Sequence, residues 1–344
     1  MQADDRQLPF ISFVVPVRNA RRLLAGCLRS IERNEYPRSR VEIIVADNGS
    51  TDGSRGVARD FGAVVLNLPG LTPAELRNRG AAAASGDVLA FVDADHEIAA
   101  DWIAWAAVAL RDPRVGAAGA DYHGPAATWV QRSYDALRGH AIGRRDVEWI
   151  GSGNIAVARS AFERVGGFEA RLITCEDVDF CRRLRAAGYR IVADHRLHST
   201  HFGDPRTLVE LFKGELWRGR DNARVTLRRP LSLRSLASLV VPALDLLLIA
   251  ASAAAMLARV PGAAAAAAGT GALVLAFAAL RIATRIRPAS LSLPALLQVL
   301  VVAIVHDLAR GCALVVRTGH TIRHDLSAEA STEAVAPSAA HEAR

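Results

Sequence analysis

Four groups of side chains in this 344-residue chain have types and spacings suited to chemistry. In "DVLAFVDADHEI", Asp87–Ile98, an unbroken apolar run from Val88 to Val92 gives way at once to Asp93 and Asp95. Residues two apart in an extended strand exit point to the same side, so the pair is expected to converge on one ligand. Two crowded carboxylates repel unless a cation lies between them. A hard divalent ion, Mg2+ or Mn2+, shared with phosphate oxygens is the usual solution. The bland alternative is a solvated turn capping the next helix. Asp47 closes a second such run, "VEIIVAD".

The third group is "TCEDVDFCRRLRAAGYRI", Thr174–Ile191. It predicts a helix over Glu176–Ala187 with Gly188 as its C-terminal stop. At about 100° per residue, Cys181, Leu184 and Gly188 form one stripe with Asp177 in its middle, and Glu176, Asp179, Arg182 and Arg183 lie elsewhere. An acid in a first turn can simply satisfy the helix dipole. Its functional reading is a general base aimed into a crevice, and the projection prefers Asp177 to Glu176 for that role. The fourth group is "LHSTHFGD", where His198 or His201 is a candidate further metal ligand. A structural histidine is the competing reading, since the spacing lacks the helical context of a zinc motif.

These groups need a scaffold that brings strand ends together. Phe10–Val15, Val41–Asp47, "AVVLNL" and Val88–Val92 read as strands, and Arg21–Arg33, a segment ending near Phe61, and Glu75–Ala84 read as helices. Apolar strands alternating with helices predict an α/β fold with a mostly parallel sheet covered on both faces. Ligands of such sheets bind beyond the carboxyl ends of the strands, where Asp47, Asp93 and Asp95 fall.

After Asn222 the composition changes. Leu236–Leu257 and Ala263–Leu280 are long and apolar enough to span a bilayer, which takes about 20 residues. Leu291–Val316 is apolar but carries His306, Asp307 and Arg310, so it is expected to span or to lie at the interface. Arg228, Arg229 and Arg234 precede the first span and Arg281, Arg285 and Arg287 follow the second, against Arg259 alone in the turn. The positive-inside rule then places both outer flanks and the α/β domain in the cytoplasm. A third full crossing would put Arg317, Arg323 and the C-terminus outside, against that rule. The expected organisation is an extension over 1–9, a catalytic domain over 10–225, a membrane region over 226–325 and a disordered tail over 326–344, the Ala-, Ser- and Glu-rich stretch from about Ser327.

Bulk composition adds little. The chain is 51% hydrophobic with a formal charge of +7, and Lys213 is its one lysine. No nucleic-acid partner is indicated. Cys27, Cys175, Cys181 and Cys312 are scattered without a CxxC pair, so reduced thiols are expected. The polar start "MQADDRQLPF" does not read as a cleaved signal.

In order, "VVPVRNA", "EIIVADNGSTDGS", "RNRGAAAASGDVLAFVDAD", "GSGNIAVARSAFERVGGF" and "EDVDFCRRLRAAGYRI" resemble the family 2 glycosyltransferases, over roughly Phe10 to Asn222. The resemblance implies a GT-A fold and inverting, metal-assisted transfer of a sugar from a nucleotide donor. It implies that Pro16, Arg18 and Asn19 lie in the first nucleotide-binding loop, that Asp47 contacts the nucleobase, and that Arg77 approaches the base or diphosphate. It further implies that Asp93 contacts the ribose or the metal, that Asp95 ligates the metal (with His201 as a further ligand), and that Asp177 is the base. Gly151 to Asn154, hence Gly153 and Asn154, would line the acceptor side. Processive relatives carry Gln-x-x-Arg-Trp after the base. Here "ELFKGELWRGRDN" has Trp217 and Arg218 in reversed order and no glutamine, which favours single-sugar transfer with Trp217 and Arg218 near the acceptor or phosphates. The membrane segments favour a lipid-linked acceptor. A sugar nucleotidyltransferase is disfavoured because the first loop, "PVRNARR", has no glycine before Gly26. An inactive membrane-bound scaffold would have no need of Asp47, Asp93, Asp95 and Asp177 together.

Overall fold

The computed structural model describes residues 8–139, 143–228, 231, 233–286 and 291–316. Arg229, Arg287, Arg317, Arg323 and the tail from Ser327 lie outside the described residues. The strands are β1 (Ile11–Val17), β2 (Val41–Asp47), β3 (Val64–Asn67), β4 (Val88–Val92), β5 (His96–Ile98), β6 (Val115–Gly119), β7 (Arg144–Asp146), β8 (Asn154–Ala158), β9 (Arg190–Asp194) and β10 (Ser199–His201). The helices are α1 (Arg21–Glu32), α2 (Ser54–Asp60), α3 (Pro73–Ala83), α4 (Trp102–Ala109), α5 (Trp129–Arg138), α6 (Arg159–Arg164), α7 (Glu176–Ala186), α8 (Leu208–Arg218), α9 (Asn222–Thr226), α10 (Leu233–Leu257), α11 (Ala263–Arg285) and α12 (Leu293–Val315).

Eight strands form one sheet in the order β3-β2-β1-β4-β8-β6-β9-β7. The first four are parallel, with Val17 opposite Asp47 and Ile11 opposite Val88. β8 is antiparallel to both β4 and β6, and β7 is antiparallel to β9. The apolar character of β1, interrupted only by Ser12, has a direct cause. Alternate residues of a strand face opposite sides: Ile11, Phe13 and Val15 pack with Leu24, Leu28 and Trp102, while Val14 packs with Leu89, Phe91 and Phe180 on the other face. Both faces are buried, and the one polar side chain there, Ser12, is satisfied by Glu42 at 2.5 Å and by the Gly86 amide at 2.7 Å.

A third core joins this layer to the C-terminal helices. Val130, Tyr134 and Leu137 of α5 and Leu211 of α8 pack against Ala278 and Ile282 of α11 and Val299, Val302 and Ala303 of α12. α10, α11 and α12 are each long and apolar enough to cross a membrane. Leu247, Met256, Leu257, Leu273, Leu275 and Leu280 are exposed on the first two, an apolar surface larger than a water-soluble protein normally presents. The polar residues of α12 point inward to protein. Asp307 pairs with Arg281 at 2.6 Å, and Arg310 donates to Glu215 of α8 at 2.7 Å. Arg281, read above as a flanking topology charge, is therefore consumed in a helix–helix ion pair.

Candidate functional site

At the carboxyl end of β4 the chain turns rather than continuing extended, with the His96 amide donating to the Asp93 carbonyl at 3.0 Å. The two carboxylates expected to converge have different partners. Asp93 receives the Arg77 guanidinium at 2.5 Å, whereas Asp95 lies 3.1 Å from His201 Nε2. Gly153 lies against Asp93, and a Cβ there would stand 2.7 Å from its Oδ2, so a larger residue would shift that carboxylate.

Asp95, His96 and His201 bring one ligand atom each within 4.8 Å of one another. β5 and β10 pair His96 directly opposite His201. The outer shell is built as well. His201 Nδ1 contacts Asp204 Oδ1 at 2.7 Å, and Asp204 also accepts from Arg138. A carboxylate behind a histidine fixes its ring and leaves the other nitrogen for a metal. Burial alone would lower the His201 pKa, but Asp95 and Asp204 raise it to about 10, and His201 in turn holds the Asp95 carboxyl well below its usual range. His96 goes the other way, to about 4, lowered by burial and by His201. A carboxylate oxygen plus two imidazole nitrogens suits a divalent transition ion, and the carboxylate together with phosphate oxygens suits Mn2+ or Mg2+. His96 takes the place beside Asp95 expected of Asp93. Its own signal, the histidine directly after "DAD", can be read only with the β5–β10 register. His198 is exposed and contacts the His195 carbonyl, away from this cluster.

Asp47 ends β2 fully buried. Its Oδ1 accepts from the Gly49 and Ser50 amides at 3.1 and 2.9 Å, while its Oδ2 has no hydrogen-bond partner among the described residues. A buried carboxylate oxygen without a partner is costly, and a ligand N–H is the natural remedy. Asn19, at φ 49°, stitches the first loop to this one: its amide donates to Ser50 and its side chain accepts from Thr51. Pro16 lies in β1 opposite Ala46, and Arg18 is exposed at the loop.

On α7, Glu176 is buried, not turned away as the projection had it. It accepts from Arg77 Nη1 and from Ser152 Oγ, both at 2.9 Å. Asp179 is buried too, held by Arg182, Arg183 and Arg228. Ion pairing, which a hydrophobic stripe cannot register, explains both. Arg77 is itself buried between Asp93 and Glu176, because a desolvated guanidinium is tolerated only when paired. Glu176→Ala should therefore destabilise the fold by about 3–5 kcal/mol, read as a lower Tm, whereas a loss below about 1 kcal/mol would contradict this role. Asp177 is half-buried and accepts from the Val178 amide at 2.8 Å. Burial, reinforced by the neighbouring Glu176 carboxylate, raises its pKa to about 7.

The remaining expected residues divide. Asn154 is buried and spends its amide on Trp102, Ala120 and Leu197, so it serves the core rather than an open acceptor face. Arg218 is paired with Glu215 at 3.0 Å, and Trp217 is half-buried beside it on α8. All four cysteines are free.

Residues 12–163 match the family "Glycosyl transferase family 2". The chain is 29% identical over 246 residues to "Glycosyltransferase AglE" of Haloferax volcanii, across 68% of this chain and 80% of that one. It is 30% identical over 201 residues to "Pre-mycofactocin glycosyltransferase" of Mycobacterium tuberculosis, across 53% of this chain and 40% of the relative. It thus spans less than half the length of that relative. Among solved structures, mannosyltransferase PcManGT from Pyrobaculum calidifontis, in complex with GDP-Man and Mn2+, aligns with a TM-score of 0.55 and 22% identity, over 89% of this chain and 88% of that one. At that identity the likeness is one of fold.

Proposed function

We propose that this chain, a glycosyltransferase carrying a family 2 domain on a GT-A fold, moves one sugar from a nucleoside-diphosphate donor to a hydroxyl of a lipid-linked glycan, with inversion. The observation that carries this reading is the Asp95–His96–His201 cluster with Asp204 behind it, at the carboxyl end of β4. Asp47, at the carboxyl end of β2 on the same sheet, offers its unpaired Oδ2 to the nucleobase. Asp95, His96 and His201 would hold Mg2+ or Mn2+, whose chemistry is to neutralise charge on a departing diphosphate.

Asp177 takes the proton from the acceptor hydroxyl. The hydroxyl oxygen then bonds to the anomeric carbon as the bond to the diphosphate breaks, and the diphosphate leaves with the electron pair. Attack from the opposite face inverts the centre in one step. Asp93 and Glu176 share Arg77, which ties the β4 turn to the α7 turn bearing Asp177. The three apolar helices hold the domain at a bilayer, with the catalytic side cytoplasmic by the arginine distribution. The sequence of α8 lacks the glutamine of processive relatives and favours a single transfer.

Incubating the full chain with UDP-, GDP- and dTDP-sugars, Mn2+ and a polyprenyl-diphosphate-linked acceptor should give one product whose anomeric coupling is opposite to the donor's. A product of retained configuration, or a preference for short soluble acceptors, would refute the corresponding part. Asp47→Ala should weaken binding of the preferred nucleoside diphosphate about 10- to 100-fold, as loss of a charged hydrogen bond does. Unchanged affinity would remove Asp47 from the nucleotide site.

A further inference from the structure

The segment that delivers Asp177 has an unusual entry. Cys175, immediately before α7, sits at φ 60°, ψ 17°, a left-handed conformation uncommon for a residue with a Cβ, and it provides no side-chain cap to the helix. Such a backbone persists where its surroundings hold it. Here the hold comes from the corner between α8 and α9. Asp221 Oδ2 accepts from the amides of Ile173 at 2.9 Å and Thr174 at 3.1 Å, and the Asp221 amide donates back to Thr174 Oγ1 at 3.1 Å. The Cys175 thiol reaches the Arg218 carbonyl at 3.8 Å, and Arg224 reaches the Arg171 carbonyl at 3.3 Å.

The same corner is fixed to the apolar helices. Glu215, buried one turn before the corner, accepts from Arg310 of α12 at 2.7 Å, from Arg218 at 3.0 Å and from the Tyr134 hydroxyl at 2.6 Å. Burial alone would raise its pKa, yet Arg310, His306 and Arg218 hold its carboxyl well below the usual range.

We infer that Asp221 is a positioning residue for the reaction: it straps the strained residues before α7 to a corner docked on α12, and so sets where the Asp177 carboxylate lies relative to the acceptor hydroxyl. The inference rests on Asp177 being the base. It couples the docking of α12 to catalytic geometry, because α12 holds Glu215 of α8 and Asp221, at the corner that follows, accepts from both the Ile173 and Thr174 amides.

The test uses the full chain in lipid nanodiscs. Asp221→Ala should lower kcat about 100-fold, the scale of a small misplacement of a reacting group, and should leave affinity for the preferred nucleoside diphosphate (UDP, GDP or dTDP) within about twofold. Asp221→Asn keeps an oxygen acceptor and should restore most of kcat. An unchanged kcat in Asp221→Ala, or nucleotide affinity falling in step with kcat, overturns the proposal. If Asp221→Ala does not fold, Thr174→Val decides: a lowered kcat at constant nucleotide affinity supports the strap, and an unchanged kcat overturns it. Asp177→Asn run alongside separates the two levels. If that variant is inactive while Asp221→Ala is fully active, only the strap fails; if it is active, the base assignment fails and the strap with it.

Discussion

Asp177→Asn should lose about 1000-fold in kcat with little change in donor binding, since a positioned general base contributes roughly 100- to 10000-fold. The amide keeps the shape of the side chain but cannot take a proton. The wild-type rate should rise with pH and level off above about 7, because Asp177 acts only when ionised and burial beside Glu176 raises its pKa to about 7 from 3.8. The stability consequence has a definite sign. A carboxyl whose folded pKa is raised is favoured when protonated, so its folded-state advantage is present at low pH and is lost as pH rises from about 4 towards 7. Asp177→Asn should therefore be at least as stable as wild type at pH 7.5 while nearly inactive, a pairing that marks a residue kept for chemistry. A variant that retains more than a tenth of wild-type kcat would exclude Asp177 as the base, and an acid limb near pH 4 would show that its pKa is not raised.

Asp95→Ala should also cost about 1000-fold, several kcal/mol of charge stabilisation at the diphosphate, and should abolish any dependence of rate on added Mn2+. The site loses its oxygen ligand, and His201 is left with Asp204 as its sole carboxylate partner. Asp204→Asn perturbs the outer shell only and should weaken metal affinity about 10- to 100-fold at saturable rate. Mn2+ titration followed by electron paramagnetic resonance reads both without relying on turnover. Equal Mn2+ affinity in wild type and Asp95→Ala would place the metal elsewhere.

The strands that carry the site were the most legible part of the sequence. β2 and β4 coincide with their expected ranges because Ile43–Asp47 and Val88–Val92 are buried, and runs of four and five consecutive apolar residues bounded by turn signals leave no other short element to choose. The second half of the sheet was not legible. Nothing in the composition of β8 announces that it runs antiparallel between β4 and β6, since direction is set by the connections and not by side-chain period. The same limit governs the site. Asp47, Asp95 and Asp177 could be put forward as candidates from strand ends and a helix face, because those signals are local. The burial of Glu176 depends on Arg77, 99 residues away, and the role of His96 depends on a cross-strand partner at His201. α12 shows the converse. His306, Asp307 and Arg310 suggested a helix that spans or lies at the interface, and their partners lie on α8 and α11.

The most direct measurement is calorimetric titration of the purified full chain with UDP, GDP and dTDP, with and without Mn2+, repeated on Asp95→Ala. One nucleotide should bind tightly, and that binding should fall at least about tenfold both without metal and in the variant. Binding of none of the three, or binding indifferent to both metal and Asp95, would contradict a metal-assisted nucleotide site at the carboxyl ends of β2 and β4.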